Sequence, residues 1–431
     1  MYGLAQTSKL PLRGFKWVEE KEFETLDWEN METEGDEGYV LEVDLKYPDY
    51  LHEYHGNLPL APENVEVNYF NLSPTAKKLL EMSGGKKSYK DVKLMGTFYD
   101  REDYIIHFKL LKLYLQLGMK LKKVHRVIRF EQSEFIKPFI EKCTWNRQQS
   151  KTKFEQDQFK KLANSVYGKT IQNVRNYVRV KLHLNMDSLM NAASDSGFKN
   201  YNIISENLVQ TNHKLERIEH KQPLFIGFAI LELSKHFMFD FFYNKLMKNL
   251  KCNLKMGMTD TDSFLFYVDD KKEFRSHIAK YMDYSNYPSN HHLFSEENKA
   301  KLGYFKDELG GRLTCQEFVG LRSKCYAMKL VDIQDNRNDK KVCKGIGRVA
   351  IKNRLKFQHY KNCLFNKIQK RTDFCNISTK SHTIRTVRTR KKALSFFDSK
   401  RWIFDCEIHS TPYGSVEIRD NPDAACKECY K

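Results

Sequence analysis

The sequence predicts an α+β chain on three observations: an alternating run near residue 40, a long helical run near residue 160, and two apolar runs flanking a pair of aspartates near residue 261. At 431 residues, with 41% hydrophobic residues, 23 Tyr and 29 Phe, the chain is long enough for two or three packed subdomains and too rich in aromatics to be disordered. The formal charge of +18 and pI near 9.2 point to a polyanionic partner, nucleic acid before an anionic membrane surface. Met1 to Leu10 lacks the apolar core of a signal peptide. The most apolar stretch, 223 to 243, carries Glu232, Lys235, His236 and Asp240, so it reads as a buried helix rather than a membrane span. Ten scattered cysteines suit the reduced thiols of an intracellular, soluble protein of open compartment.

Taken in order, the first 37 residues are mixed and acidic without a sustained period, as in a linker or a truncated remnant. From Gly38 to Leu45 the pattern alternates, so Tyr39, Leu41, Val43 and Leu45 share one face while Val40, Glu42 and Asp44 share the other. Tyr47-Pro48 then turns the chain and can set the phenol against a ligand, and Pro59 and Pro62 exclude helix. His52 and His55 read as part of a helix surface. Short strands and helices fill 63 to 150. In Phe154 to Gly168, helical spacing aligns Lys160, Asn164 and Tyr167, with Phe159, Leu162 and Val166 on an apolar face and Gly168 permitting a close turn at the end. A polar stretch and the apolar helix precede Lys255–Thr259 and Phe264–Val268, a hairpin with Asp260 and Asp262 at its tip. Gly320 to Met328 alternates so that Arg322, Lys324 and Tyr326 form a basic, aromatic strip suited to a nucleic-acid backbone and terminal base. Lys340 to Arg401 is dense in Lys and Arg, interleaved with Phe357, Tyr360, Phe365, Phe374, Phe396 and Phe397 with Trp402 just beyond, and reads as a phosphate-tracking region. There is no internal repeat and no P-loop.

Two carboxylates as close as Asp260 and Asp262 resist burial unless a cation neutralises them, and oxygen donors at an open turn favour Mg²⁺ or Mn²⁺ over zinc. The plainer reading of that segment alone is a solvated hairpin tip. If the strand 38 to 45 lies beside the hairpin, Glu42 and Asp44 complete enough oxygens for two divalent ions, the arrangement that activates a nucleophilic oxygen and stabilises a leaving phosphate. Taken alone, the strand reads more readily as an amphipathic edge with outward acids than as a metal site. Lys160 can hold phosphates as a point charge while Asn164 and Tyr167 touch a base or sugar. Cys406-x-x-His409 and Cys426-x-x-Cys429 have the spacing of a tetrahedral zinc ribbon, against the simpler reading of a frayed tail with free thiols.

In this order the segments resemble the motifs of family B DNA polymerases, specifically the protein-primed branch of phages, adenoviruses, linear plasmids and self-synthesising transposons. Leu45-Lys46-Tyr47-Pro48 looks like the end of the first palm motif, and Lys160 to Gly168 fits the Lys-x-x-x-Asn-Ser-x-Tyr-Gly fingers motif. Asp260-Thr261-Asp262-Ser263 is similar to the second palm motif, and Lys324-Cys325-Tyr326 to the Lys-x-Tyr motif that grips primer DNA. The resemblance covers roughly 38 to 416, including Pro59 to Glu63 and Tyr413-Gly414.

It implies a right-hand fold with an antiparallel palm sheet, helical fingers and a small basic thumb. The first palm motif would span 38–65, an insertion of the protein-primed type with connecting palm segments 66–150, the fingers 151–184 and a second insertion 185–222. The remaining palm, with both later motifs, would span 223–335, the DNA-binding thumb 336–416 and a tail 417–431. By the resemblance, Asp260 and Asp262 hold two Mg²⁺ or Mn²⁺ ions with a first-motif carboxylate. Lys160 contacts the incoming triphosphate, Tyr47 packs under the sugar and excludes a 2′-hydroxyl, Tyr167 and Asn164 sit near the base, and Lys324, Tyr326 and Arg322 hold DNA. The implied partners are primer-template DNA, deoxynucleoside triphosphates and a terminal priming protein, with no membrane. Two departures stand out. Glu42 occupies the usual Asp position five before Tyr47, with Asp44 three before, and either can coordinate. Some 40 residues precede the first motif, fewer than an exonuclease domain needs, which implies no proofreading by this chain. The expected activity is DNA-directed DNA polymerisation; the alternatives are an inactive DNA-binding remnant of such a polymerase and a nuclease using the same carboxylates, which leaves the Lys160 helix without a role.

Overall fold

The computed structural model describes all residues except 333, 335, 381, 382, 430 and 431. Its centre is an antiparallel sheet of β1 (Leu10–Val18), β2 (Glu37–Lys46), β3 (Arg101–His107) and β4 (Lys120–Ser133), in spatial order β1-β4-β2-β3. The alternation in β2 decides its two sides: Leu41, Val43 and Leu45 are at most 1% exposed, whereas Glu42 and Asp44 stay half-buried on the other face. The apolar side is covered by the helix Phe108–Gln116, by Phe239 to Leu246 and by Phe264 and Phe266 of the acidic hairpin, all in one core. Tens of apolar side chains removed from water there supply the main driving force for this region.

Residues 1–37 are not a linker. A short helix α1 (Tyr2–Gln6) leads into β1, and Ala5, Leu10, Val18, Phe23 and Trp28 are buried. No period showed because β1 pairs with β4 through two register shifts, which break strict alternation, and α1 is too short to display a helical repeat. His52 and His55 are also placed differently from the expected helix surface: both are buried, His52 stacked on Phe98 at 4.2 Å and His55 bonded to the Tyr47 hydroxyl.

Two helices follow as expected. α2 (Lys153–Thr170) starts at a capping box in which the Thr152 hydroxyl oxygen accepts from the Glu155 N–H and the Glu155 carboxylate accepts from the Thr152 N–H. α3 (Leu224–Asp240) is the apolar helix, and its buried Glu232 is bonded to the Lys235 ammonium at 2.6 Å. The segment between them forms a unit of three antiparallel strands, Val178–His183, Phe198–Ser205 and Leu208–Lys214, with the first paired to the last. That unit begins at Val178, ahead of residue 185.

β5 (Leu254–Asp260) and β6 (Ser263–Val268) form the acidic hairpin, and β7 (Leu313–Arg322), β8 (Cys325–Asp332) and β9 (Arg337–Cys343) a three-stranded antiparallel sheet. A long hairpin, β10 (Lys370–Lys380) and β11 (Thr383–Leu394), carries exposed Arg388 and Arg390 outward beside exposed Ile377 and Ile384. Of the aromatics interleaved with these basic residues, Phe357, Tyr360 and Phe396 are buried in a core shared with Leu321 and Cys325, while Phe365 is 54% exposed. Among the described residues no helix is long and apolar enough to cross a membrane.

Candidate functional site

The acidic pair sits astride a turn of three residues. The Asp262 N–H donates to the Asp260 carbonyl at 2.8 Å, and Thr261 between them has φ +62°. A β-branched residue in the left-handed region is strained, and such strain concentrates where a site demands a particular geometry. The second hairpin tip behaves alike. β7 and β8 are joined by Ser323 and Lys324, with Lys324 at φ +56°. Arg322, Lys324 and Tyr326 therefore do not share one strand face: the turn interrupts the strand, and only Tyr326 lies within β8. What the turn achieves is reach, since Lys324 Nζ lies 2.9 Å from Asp260 Oδ1, tip to tip. Gly257 of β5 faces the Phe318 ring of β7, where a Cβ would sit in ordinary van der Waals contact at 3.4 Å. Asp262 Oδ2 is 3.7 Å from the Met1 nitrogen.

α2 comes to the same place from another side. Tyr167 stacks on Tyr2 with ring centroids 4.6 Å apart, and burial, the Tyr167 hydroxyl and the Asp262 charge push the Tyr2 phenol up to about 12. Met1 and Tyr2 thus bridge Asp262 and the end of α2. That end is fixed by α3, where Gly227 leaves room for Thr170 and Ile171; a Cβ would fall 2.2 Å from Ile171 Cγ2. Lys160 and Asn164 are exposed and carry no hydrogen bond or ion pair among the described residues. The packed face of α2 runs through half-buried Phe159, Ala163, Val166 and Tyr167, so Tyr167 turns away from the Lys160 face and Leu162, expected on the packed face, is 43% exposed. Gly168 lies within the helix, which runs on to Thr170, and its missing side chain faces open space.

The first-motif acids have different partners. Glu42 faces Arg126 across the β2–β4 pair, and the Arg126 guanidinium bonded to it holds its carboxyl below the usual range. Asp44 accepts the Asp103 N–H at 3.0 Å and lies 2.8 Å from His125 Nε2, which lower its pKa in that order. Asp44, Asp103 and His125 bring one ligand atom each within 4.8 Å of one another. Neither Glu42 nor Asp44 joins Asp260 and Asp262 in such a group among the described residues. Asp103 and His125 were invisible in the sequence, since only the order of strands in the sheet brings them to Asp44.

Tyr47 is 2% exposed. Its oxygen accepts the Leu60 N–H at 3.1 Å and shares a hydrogen bond of 2.8 Å with His55 Nδ1, whose direction follows the imidazole tautomer. Burial pushes the His55 imidazole down to about 4, keeping it neutral. A cleft of about 1030 Å³ opens beside this turn, between Asp49, Tyr50, Trp402 and Arg419, but Asp260, Asp262, Lys160 and Lys324 do not line it.

Whether a divalent ion fits depends on donor chemistry. Asp260 and Asp262 offer carboxylate oxygens that are partly exposed, and the positive charge the pair demands is met by the Lys324 ammonium, a displaceable cation. Mg²⁺ is ordinarily held by one or two carboxylates plus substrate phosphates rather than by an all-protein cage, so this pair fits it.

No family model and no curated protein matches the chain. Among solved structures it is similar to phi29 DNA polymerase in an orthorhombic crystal form, with a TM-score of 0.54 at 14% identity over 91% of this chain. The same polymerase in a ternary complex with primer-template DNA and incoming nucleotide gives a TM-score of 0.50 at the same identity and coverage. The chain spans 56% of that polymerase's length. The likeness is one of fold: a mixed helix and strand architecture like that of phi29 DNA polymerase.

Proposed function

We propose that this chain catalyses template-directed transfer of deoxynucleotides to a primer hydroxyl, supplied by DNA or by a Ser, Thr or Tyr of a terminal protein. The observation that carries the reading is the meeting of Lys324 with Asp260 at 2.9 Å, which joins two sequence-distant motifs at one point of a polymerase-like fold. In this reading the central sheet and acidic hairpin are the palm, α2 is a fingers helix, the unit 178–214 an insertion, and the region from β9 through β11 a DNA-gripping thumb.

Asp260 and Asp262 would hold Mg²⁺ or Mn²⁺, which, when bound, activates the attacking oxygen and steadies the triphosphate. As the first-motif acid we favour Asp44, since its partners His125 and Asp103 are themselves ligand groups, whereas Glu42 is committed to a guanidinium; neither acid is grouped with Asp260 and Asp262 among the described residues, so completing the set requires the two motifs to approach. Lys160, exposed and unpaired on α2, neutralises the triphosphate as a point charge, with Asn164 one turn along toward the base. Tyr47 acts from beneath, as a rigid floor under the sugar. Lys324 would exchange Asp260 for a DNA phosphate, while Arg322 and Tyr326 would hold the primer strand.

Extension of a primed template tests the reading. Wild type is expected to incorporate with Mg²⁺ or Mn²⁺, and Asp262→Ala to bind the same DNA without incorporating. A wild-type chain that binds primed DNA yet incorporates nothing with either ion reduces the polymerase to an inactive relic.

A further inference from the structure

The C-terminal segment is no frayed tail. Cys406 to His409 form a tight knuckle: the Phe404 N–H donates to the His409 carbonyl at 3.0 Å, the His409 N–H donates to Cys406 Sγ at 3.3 Å, and Glu407 takes φ +62°. Cys426 to Cys429 form a second one, closed by the Cys429 N–H on the Cys426 carbonyl at 3.2 Å. The two are clamped by one oxygen, Asp405 Oδ1, which accepts the N–H groups of Cys406 and Cys426, each at 2.9 Å.

Three sulfurs converge on one nitrogen. His409 Nδ1 lies 3.6, 3.3 and 3.4 Å from the Sγ atoms of Cys406, Cys426 and Cys429. A neutral imidazole nitrogen accepts one hydrogen bond, so thiol chemistry alone leaves two of these contacts without a reason. A tetrahedral ion accounts for all three: Zn–S near ~2.3 Å and Zn–N near ~2.0 Å require an S···N separation of about 3.5 Å. All four ligand atoms lie within 4.8 Å of one another. Behind them, buried Phe404 and Ile418 exclude water beside Cys426. The other imidazole nitrogen, Nε2, lies 3.6 Å from Glu428 Oε2, the carboxylate that orients metal-binding histidines in many sites.

We propose that Cys406, His409, Cys426 and Cys429 bind one structural Zn²⁺ ion, a site independent of the polymerase reading. With four protein ligands no position remains for substrate, so the ion's work is to fasten. Its attachments are specific. Glu428 also accepts the Lys255 ammonium at 2.8 Å, tying the knuckle to β5, the strand that ends in Asp260. Arg419 pairs with Asp49 at 2.6 Å and the Val416 N–H donates to His52 Nδ1 at 3.0 Å, tying the same segment to the turn after Tyr47. The knuckle thereby links the strand of the second motif to the exit of the first.

Metal analysis of the full-length wild-type protein, produced with zinc present and dialysed free of loose metal, is expected to give about one zinc per chain. Cys426→Ser and Cys406→Ser are expected to lose it. Replacement of the zinc in wild type by Co²⁺ should give the intense visible bands of a tetrahedral thiolate site, a readout independent of how well the variants fold. Glu428→Gln, which keeps all four ligands, should weaken zinc affinity about 10- to 100-fold in competition with a chromophoric chelator. Wild type that holds no zinc and gives no tetrahedral cobalt spectrum overturns the proposal, as does a disulfide among these three cysteines or full zinc retention by Cys426→Ser.

Discussion

Glu42 with Asp44 and Asp260 with Asp262 are the same pattern, two acids separated by one residue, held in two different ways. In the first pair both side chains leave one face of a central strand, and the neighbouring strands supply Arg126, His125 and the Asp103 N–H; the side chains are 18% and 22% exposed. The second pair straddles a strained turn at 37% and 49% exposure, and the cation beside Asp260 comes from another hairpin tip. A strand acid is fixed by sheet register and cannot move without unpairing its strand. Asp260 at the tip is balanced by the flexible Lys324 ammonium, which an arriving divalent ion and nucleotide can displace. The fixed pair is thus suited to positioning and the exposed pair to receiving charge.

The largest effect should separate the pairs by chemistry. Asp262→Ala is expected to lower incorporation at least about a thousandfold, the several kcal/mol that a metal-held charge supplies. Asp44→Asn should approach that loss and Glu42→Gln fall well short of it, measured with DNA binding held constant; the reverse order would return the first-motif role to Glu42. Acid should next weaken the fixed side. Burial pushes His55 and His236 down to about 4 and His107 to about 3. The unfolded chain binds these protons first, so their contribution to stability is complete above about pH 6.5 and is lost as pH falls toward 4, at up to about 1.4 kcal/mol per pH unit per histidine. Denaturant titrations at a series of pH values check the sign, and His236→Leu should flatten the slope.

Tyr47→Phe should cost about 1–3 kcal/mol of stability, because it leaves the buried Leu60 N–H and His55 Nδ1 unpaired; a change within a few tenths would show the turn to be looser than its bonds imply. Smallest is Lys324→Ala. Its exposed ion pair with Asp260 is worth about 1 kcal/mol or less, so removing it should tighten Mn²⁺ binding by up to about fivefold while weakening primer binding. Unchanged Mn²⁺ affinity would break the idea that lysine and metal compete for Asp260.

Much of this was legible in the sequence where a period was long enough to read. β2, α3 and the acidic hairpin follow their alternating or helical patterns closely, and α2 forms as a helix though its packed face is turned toward Ala163 and Tyr167. The rest was set by partners distant in sequence. β1 hides its alternation in register shifts, and Lys324 looks like a strand residue until a turn is placed at Ser323. His125 and Asp103 reach Asp44 only through the order of strands in the sheet. The Cys and His spacing near the C-terminus was visible, but its closure depends on Asp405 drawing two knuckles together.

The most direct test of the account is single-turnover incorporation of one deoxynucleotide on a primed template with Mg²⁺, comparing wild type, Asp262→Ala and Asp44→Asn at saturating DNA. The account predicts a measurable burst in wild type and its loss in both variants at undiminished DNA affinity. Incorporation that survives Asp262→Ala would contradict it.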